Sequence, residues 1–303
     1  MEMGSEEWGL CGCHQKFMRL PWEGHDRFSD CSVMNTVFLP HASPPEQAFV
    51  TSAALPAPHG IEVSWARHQS EVREAQKLRF EVFANEMGAR LPKTVPGHDV
   101  DLFDDFCEHL LVRDKTSRQV IGTYRVLTPA QAKRVGSTYS DTEFDLTRLR
   151  AVRERMVELG RSCVHREHRH GGVILALWGA LADFMESNQL DTMIGCASIP
   201  MQYEGSHGVV GGGHAAASIW RQVKDQYLAP IDFHVRPRLP LPVERLDDKL
   251  DVRPPALIKG YLRLGAKVMG PPAWDPDFNS ADLPMLMRIS DLPARYRKHF
   301  LGA

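Results

Sequence analysis

What this 303-residue chain lacks narrows its class before any motif is read. It has only six cysteines, at 11, 13, 31, 107, 163 and 196, with no CxxC pair and no disulfide-framework spacing, so reduced thiols in a cytoplasmic protein are expected. It has no run of about eighteen apolar residues, and its beginning lacks the basic-then-apolar order of a secretory signal. Any membrane contact is therefore expected to be peripheral. Neither charge sign is in excess: 36 Lys and Arg against 38 Asp and Glu give a formal net charge of -2. No global field draws the chain to nucleic acid, and none is expected as a partner. What is present is apolar: 43% hydrophobic residues, enough for a substantial core.

Residues 1–60 hold SPPEQ and LPAPHG without sustained periodicity and read as a flexible leader, whereas 61–303 read as one domain. CxCH at 11–14 has no second ligand pair at zinc spacing, so incidental thiols are expected there. Val72, Ala75, Leu78, Val82 and Phe83 recur at helical spacing up to a C-capping Gly88. HLLVRD and QVIGTYRVL, joined by KTSR, predict an antiparallel hairpin, and TPAQAKRVG a short helix with a Thr N-cap. RMVELGRSCV predicts a strand, GGVILALWGALADFMESN a buried helix and DTMIGCAS another strand. PPALIKGYLRLGAKVMG predicts a helix that ends at Gly265 and turns into a strand, with PMLMRIS as the last strand. The order implies an α/β fold with a mixed sheet flanked by helices.

The richest polar stretch is ELGRSCVHREHRHGG, Glu158 to Gly172, where a strand hands over to the buried helix. Strict alternation would send Glu158 and Arg161 to opposite faces of that strand. Beyond it, the amides of a helix-opening turn and the charges of Arg166 and Arg169 suit a phosphate; a solvated basic loop is the plainer alternative. His165, His168 and His170 have no carboxylate fixed beside them, so no metal site is expected. Cys163 and His165 point apart, which argues against a thiol nucleophile.

The acidic loop GHDVDLFDDFCEH carries Asp99, Asp101 and Asp104 and suits a cationic substrate, although an exposed acidic loop would read the same. It lacks the glycine and terminal glutamate of a calcium loop. Seven arginines fall between 148 and 169, against two acids besides Glu158; among them Arg150, Arg153 and Arg155 form a candidate dock for an acidic protein, or a solvated face. GGG at 211–213 reads as a flexible joint without a phosphate role.

Together, LRFEVFANEMG, DVDLFDDFCEHLLV, IGTYRVL, STYSDTEFDLTRL, ELGRSCVHREHR, GCASIP and PALIKGYLRLGAKVMGPPAWDPDFNSADLPMLM resemble the ornithine-lipid branch of the GNAT acyltransferases, L-ornithine N-alpha-acyltransferases sometimes labelled hemolysin-like, over residues 61–303. A more distant likeness is to acyl-homoserine-lactone synthases. Their pattern of helix arginine, spaced acids, hairpin arginine and E-L-x-R strand falls on Arg79, then Asp99, Asp101 and Asp104, then Arg125, then Glu158 and Arg161. One departure concerns the phosphate loop. Acetyl-CoA members carry Q/R-x-x-G-x-G/A, and here Arg166 is followed by Arg169 in the first glycine place, then Gly171 and Gly172.

The resemblance implies a GNAT fold with a mostly antiparallel central sheet, no metal and no bound cofactor. Its co-substrate would be the phosphopantetheine thioester of acyl carrier protein, or acyl-CoA. In that reading Cys163, Val164, Arg166, Arg169, Gly171 and Gly172 bind acyl-phosphopantetheine, and Glu158 takes a proton from the alpha-amine of L-ornithine. Asp99, Asp101 and Asp104 attract the amines, Arg125 or Arg161 the carboxylate, with Arg79 among them. Arg150, Arg153 and Arg155 dock the carrier. The lipid product implies a cytoplasmic enzyme in peripheral contact with the inner membrane. A related GNAT enzyme with another amine, and a non-catalytic module that binds acyl carrier or membrane, are the alternatives.

Overall fold

The computed structural model describes residues 60–301 except 93, 170, 206 and 207. The expected leader up to residue 59, the CxCH group and His170 lie outside the described residues. Strand β1 (Ile61–Trp65) leads to helix α1 (Gln69–Phe80), which runs on as a π-helical turn over Glu81–Glu86. The predicted hairpin is β2 (Glu108–Asp114) and β3 (Val120–Leu127). After it come α2 (Pro129–Val135), the single turn α3 (Ser140–Glu143) and the short β4 (Phe144–Asp145). β5 (Met156–Val164), α4 (Gly172–Ser187) and β6 (Thr192–Pro200) form a βαβ unit. β7 (Tyr203–Gly205), β8 (Gly208–Val210), α5 (His214–Tyr227) and β9 (Arg236–Pro237) follow. The chain continues through α6 (Ala256–Arg263), β10 (Lys267–Val268), β11 (Ala273–Asp275), β12 (Ser280–Arg288) and α7 (Ala294–Leu301).

The main sheet runs β1-β2-β3-β5-β6-β12-β10, with β11 also on β12. Every neighbouring pair is antiparallel except β5 and β6. A parallel pair needs a crossover, and α4 supplies it. Val173, Leu177, Leu181, Phe184 and Met185 of α4 pack on one face of the sheet. Ala75 and Leu78 of α1, with Val82 and Phe83 of its π turn, cover Leu111, Val120 and Cys163 on the other. Each large apolar side chain so buried contributes about 1.5–3 kcal/mol relative to exposure. The sheet is therefore sandwiched where β3 and β5 run, and these strands carry the polar groups described below.

Local chemistry explains most of the agreement with the sequence. Thr128 and Gln131 make a reciprocal capping box with Pro129 in the first turn of α2. Two features differ from expectation. The glycines at 211–213 are framed by β8 and α5, and Gly213, at φ 81°, is the N-cap of α5. The helix is easy to miss because four of its buried residues, Ala215, Ala216, Ala217 and Ser218, are small, leaving Ile219 and Val223 as the only large buried apolar groups to mark a period. The second is a bulge in β5: Thr123 pairs with Cys163 but Arg125 with Gly160, and Arg161 sits at φ 50°.

Candidate active site

β5 and β6 pair only over Met156–Glu158 and Thr192–Ile194, although the strands continue to Val164 and Pro200. Past Glu158 they part, and the fork leaves the β5 edge without a strand partner. At the crotch the two backbones nearly touch: a Cβ on Gly195 would lie 2.3 Å from the Leu159 carbonyl oxygen, so no other residue fits without spreading the strands. A cavity of about 560 Å³ opens from this fork, within the size range of small-molecule sites. Glu158, Gly160, Arg161 and Val164 line it from β5, Gly195, Cys196 and Ser198 from β6. Trp178, Tyr261 and Met285 give it apolar walls, and Arg169 and Gly171 line it at the opening of α4.

The bulge overturns the alternation expected for β5. Arg161 donates from Nε to Asp99 (3.1 Å) and from Nη2 to Asp101 (3.0 Å), while Arg125 donates from Nη1 to the same Asp101 (2.6 Å). Arg125 and Arg161 therefore share a face, and that face also carries Glu158, which is paired with Leu127, two residues along from Arg125. One inserted residue moves Arg161 to the side of the acid. Its guanidinium is gripped between the rings of Tyr139 and Phe278, at 4.9 and 4.7 Å.

The predicted charged residues do come together, but mostly with one another. Arg79, with no exposed surface, donates to Asp99 (2.8 Å) and to both oxygens of Asp104 (2.9 and 2.8 Å); Arg125 adds a bond to Asp104 (2.9 Å). Gln76 donates to Asp104 at 3.0 Å. Three arginines thus match three aspartates in a closed network. Burial works against ionised Asp104, yet the Arg79 guanidinium and its hydrogen bonds hold its pKa well below the carboxylate range. Arg125 and Arg161 reach the cavity wall, whereas Arg79, Asp99, Asp101 and Asp104 stand behind it. The aspartates expected to meet a substrate amine are thus paired with arginines behind the cavity wall, where they brace Arg125 and Arg161.

Glu158 is 5% exposed and forms no ion pair with Arg79 or Arg125. Its oxygens accept from the backbone amides of Tyr139 (2.7 Å) and Ser140 (2.6 Å). Burial raises its pKa, opposed by those amide bonds. It is a fixed carboxylate at the cavity whose affinity for a proton is enhanced, the property a general base needs.

At the opening of α4, Gly171 takes φ 101° and leads the helix. Arg169 donates to the Val164 carbonyl (2.9 Å) and to Glu86 of the π turn (2.7 Å), and Arg166 lies 3.9 Å from Glu86. Cys163 is buried, its thiol pushed up to about 12 by burial, in keeping with no nucleophilic role. Arg153 is paired with Asp141 (2.6 Å) and Arg155 with Asp191 (3.1 Å), and Arg150 is exposed. His165 lies 3.7 Å from Glu81, and among the described residues the group whose spacing could hold a cation is Glu143, Cys196 and Asp282. Sequence reasoning assigned those three no role, although STYSDTEFDLTRL and GPPAWDPDFNSADLP carry the two acids.

A model of the GNAT acetyltransferase domain matches residues 78–179. An L-ornithine N(alpha)-acyltransferase of Rhodobacter capsulatus is 34% identical over 260 residues, covering 80% of this chain and 96% of the relative. One of Brucella abortus is 33% identical over 255 residues, covering 79% and 88%. One of Agrobacterium fabrum is 34% identical over 258 residues, covering 80% and 85%. Among solved structures, the acyl-homoserine-lactone synthase LasI aligns at a TM-score of 0.45 with 14% identity, over 80% of this chain and 94% of its own. With its forked mixed sheet and relatives this similar over four-fifths of its length, the chain is an acyltransferase of the GNAT fold and belongs to the L-ornithine N(alpha)-acyltransferase family.

Proposed function

We propose that this protein transfers a 3-hydroxyacyl chain from the phosphopantetheine thioester of acyl carrier protein to the alpha-amine of L-ornithine, giving a lyso-ornithine lipid. The observation that carries it is the fork: an open β5 edge, a mostly apolar cavity and a proton-avid carboxylate meet at one point. The relatives' acceptor supplies the choice of ornithine.

The thioester lies along the free edge of β5. His165 N–H donates to the Ile121 carbonyl, so hydrogen-bonded pairs fall at 165 and 163, and the Val164 amide and carbonyl turn to the open side. The carbonyl of Val164 accepts from Arg169 there, consistent with that orientation. The Val164 amide is thus the donor that polarises the thioester carbonyl, while the Cys163 amide faces β3. The pantetheine phosphate sits on Arg166, Arg169 and the amides from Gly171 and Gly172, where it displaces Glu86 from Arg169. Arg161, with Arg125, holds the ornithine carboxylate.

The alpha-amine nitrogen attacks the thioester carbon. The C–N bond forms as the C–S bond breaks, Glu158 receives the amine proton directly or through water, and the thiolate leaves to be reprotonated. No metal is needed for these steps. The exposed Arg150 and the weakly held Arg155 face the acidic carrier, with Arg153 braced on Asp141. Among the described residues no helix is long and apolar enough to cross a membrane, and peripheral attachment would deliver the lipid product.

The test is a product assay with purified protein, a panel of carrier- and CoA-linked acyl thioesters, and a panel of amino acids read by mass. N-alpha-acylornithine from the carrier thioester is expected. Acylation of glutamine or glycine in preference to ornithine, or carrier binding without any product, would overturn the reading.

A further inference from the structure

Beside the fork lies a second group of acids with the opposite character to the Arg79 network. Glu143 closes α3, Asp275 closes β11, and Asp282 lies in β12. Among the described residues, no lysine, arginine or histidine forms an ion pair with any of them. The three aspartates behind the cavity have three arginines; these three acids have none. Asp282 is 4% exposed and accepts from Ser280 Oγ at 2.8 Å. Asp275 accepts from the amides of Asp277 (2.8 Å) and Phe278 (3.0 Å), and the Tyr139 hydroxyl donates to it at 3.4 Å.

Glu143 is the unusual member. Both its carboxylate oxygens are shut off from solvent and make no hydrogen bond of good geometry, with only the Cys196 thiol and the Tyr139 hydroxyl close by as donors. Its nearest company is Cys196 and Asp282, the ligand atoms of all three lying within 4.8 Å of one another. An ionised carboxylate in such a place is costly, so it keeps a proton unless a cation joins it. Burial and repulsion from Asp282 and Asp275 push Glu143 up to about 9, and burial carries Asp282 to about 6.

Position says which cation. Asp275, Asp282 and Cys196 line the same cavity as Glu158. Tyr139 and Ser140 bridge the two groups: their amides hold Glu158, while the Tyr139 hydroxyl reaches Asp275 and Ser140 Oγ lies 3.6 Å from the Cys196 sulfur. A molecule held at both ends of this bridge has one nitrogen at the base and a positive group among the acids.

We infer that Glu143, Asp282 and Asp275 form the pocket for the side-chain ammonium of the acceptor amino acid, so that this cluster selects a diamino acid over neutral ones. The inference rests on the proposed acceptor chemistry and assigns its specificity. The bound ammonium replaces the missing arginine. It donates to Asp282 at the cavity wall, while Glu143, close behind Asp282, and Asp275, fixed by its own turn, add charge. An amino acid with an uncharged chain of equal length leaves these carboxylates desolvated and unpaired, a penalty that discriminates more strongly than the loss of one methylene.

The test compares L-ornithine with L-norvaline, its analogue without the terminal amine, in wild type, Glu143→Gln and Asp282→Asn. Turnover and thermal shift are measured with each amino acid, and metal content is measured on the purified proteins. The wild type is expected to favour ornithine over norvaline by 100-fold or more in kcat/KM. Each variant is expected to shrink that ratio at least tenfold, chiefly through a raised KM for ornithine. Ornithine should raise the melting temperature of wild type more than norvaline does, and the variants should lose that difference. Variants that turn over ornithine with the wild-type ratio would overturn the inference and leave the acceptor reading standing. An ornithine-specific thermal shift that the variants lose, without turnover, would support the pocket and sink the acceptor reading. A stoichiometric bound metal lost from both variants would overturn the inference in favour of a metal site.

Discussion

Replacing Arg79 by Met tests how the site is held. Arg79 is fully buried and lies outside the cavity, so its removal acts through the network and not through lost substrate contact. Four hydrogen bonds disappear, three to the carboxylates of Asp99 and Asp104 and one to the Asp99 carbonyl at 2.6 Å. Breaking a buried pair from one side typically costs about 3–5 kcal/mol. Here the lower end applies. Asp99 keeps Arg161 at 3.1 Å, and Asp104 keeps Arg125 at 2.9 Å and Gln76 at 3.0 Å. At about 2–4 °C per kcal/mol for a domain of this size, the melting temperature should fall by about 6–12 °C. Arg79→Met with Asp104→Asn returns the network to two arginines and two aspartates, and should recover part of the loss. Calorimetry on both variants is the assay. A fall of less than about 2 °C in the single variant, or a double variant well below it, would refute charge matching as the organising feature.

Three further outcomes follow from the geometry. Gly195→Ala puts a methyl against the Leu159 carbonyl and spreads the fork, so kcat/KM should drop about tenfold or more while the fold persists; an unchanged rate would mean the crotch does not set the site. The raised groups Asp282 and Glu143 bind more protons folded than unfolded. Their contribution to stability therefore declines as pH rises from the ordinary carboxylate range through about 6 and about 9. Melting curves from pH 5 to 9 should flatten in Glu143→Gln, and an identical slope would contradict the uncompensated burial of that acid. Charge reversal at Arg150 and Arg155 should raise KM for the carrier thioester severalfold and weaken its salt dependence, with free acyl-CoA unaffected; equal effects on both donors would remove that surface as the dock.

Much of the scaffold was legible because short-range chemistry writes it. The capping box of α2, the apolar pattern of α4 and the hairpin of β2 and β3 stand where patterning puts them. Residues that converge from distant segments were legible only as types. Asp99, Asp101, Asp104, Arg79, Arg125 and Arg161 were expected near one another, yet which would face the cavity depended on a bulge. No local signal marks that bulge. Arg161 adopts φ 50° without the help of a glycine, held there by two aspartates some sixty residues earlier in the chain. Glu143, Asp275 and Asp282 were unreadable for a related reason. Each looks like an ordinary turn or strand-end acid until α3 and β12 bring Glu143 and Asp282 together at Cys196 and β11 sets Asp275 on the same cavity.

The central claim is that amine acylation happens at the mouth of the fork with Glu158 receiving the proton. Glu158→Gln tests it most directly, with kcat and carrier-thioester binding measured on the same folded preparation. Loss of a general base lowers turnover by about 10²–10⁴-fold. The account predicts that loss with donor binding retained, whereas a variant that keeps the wild-type kcat would contradict it.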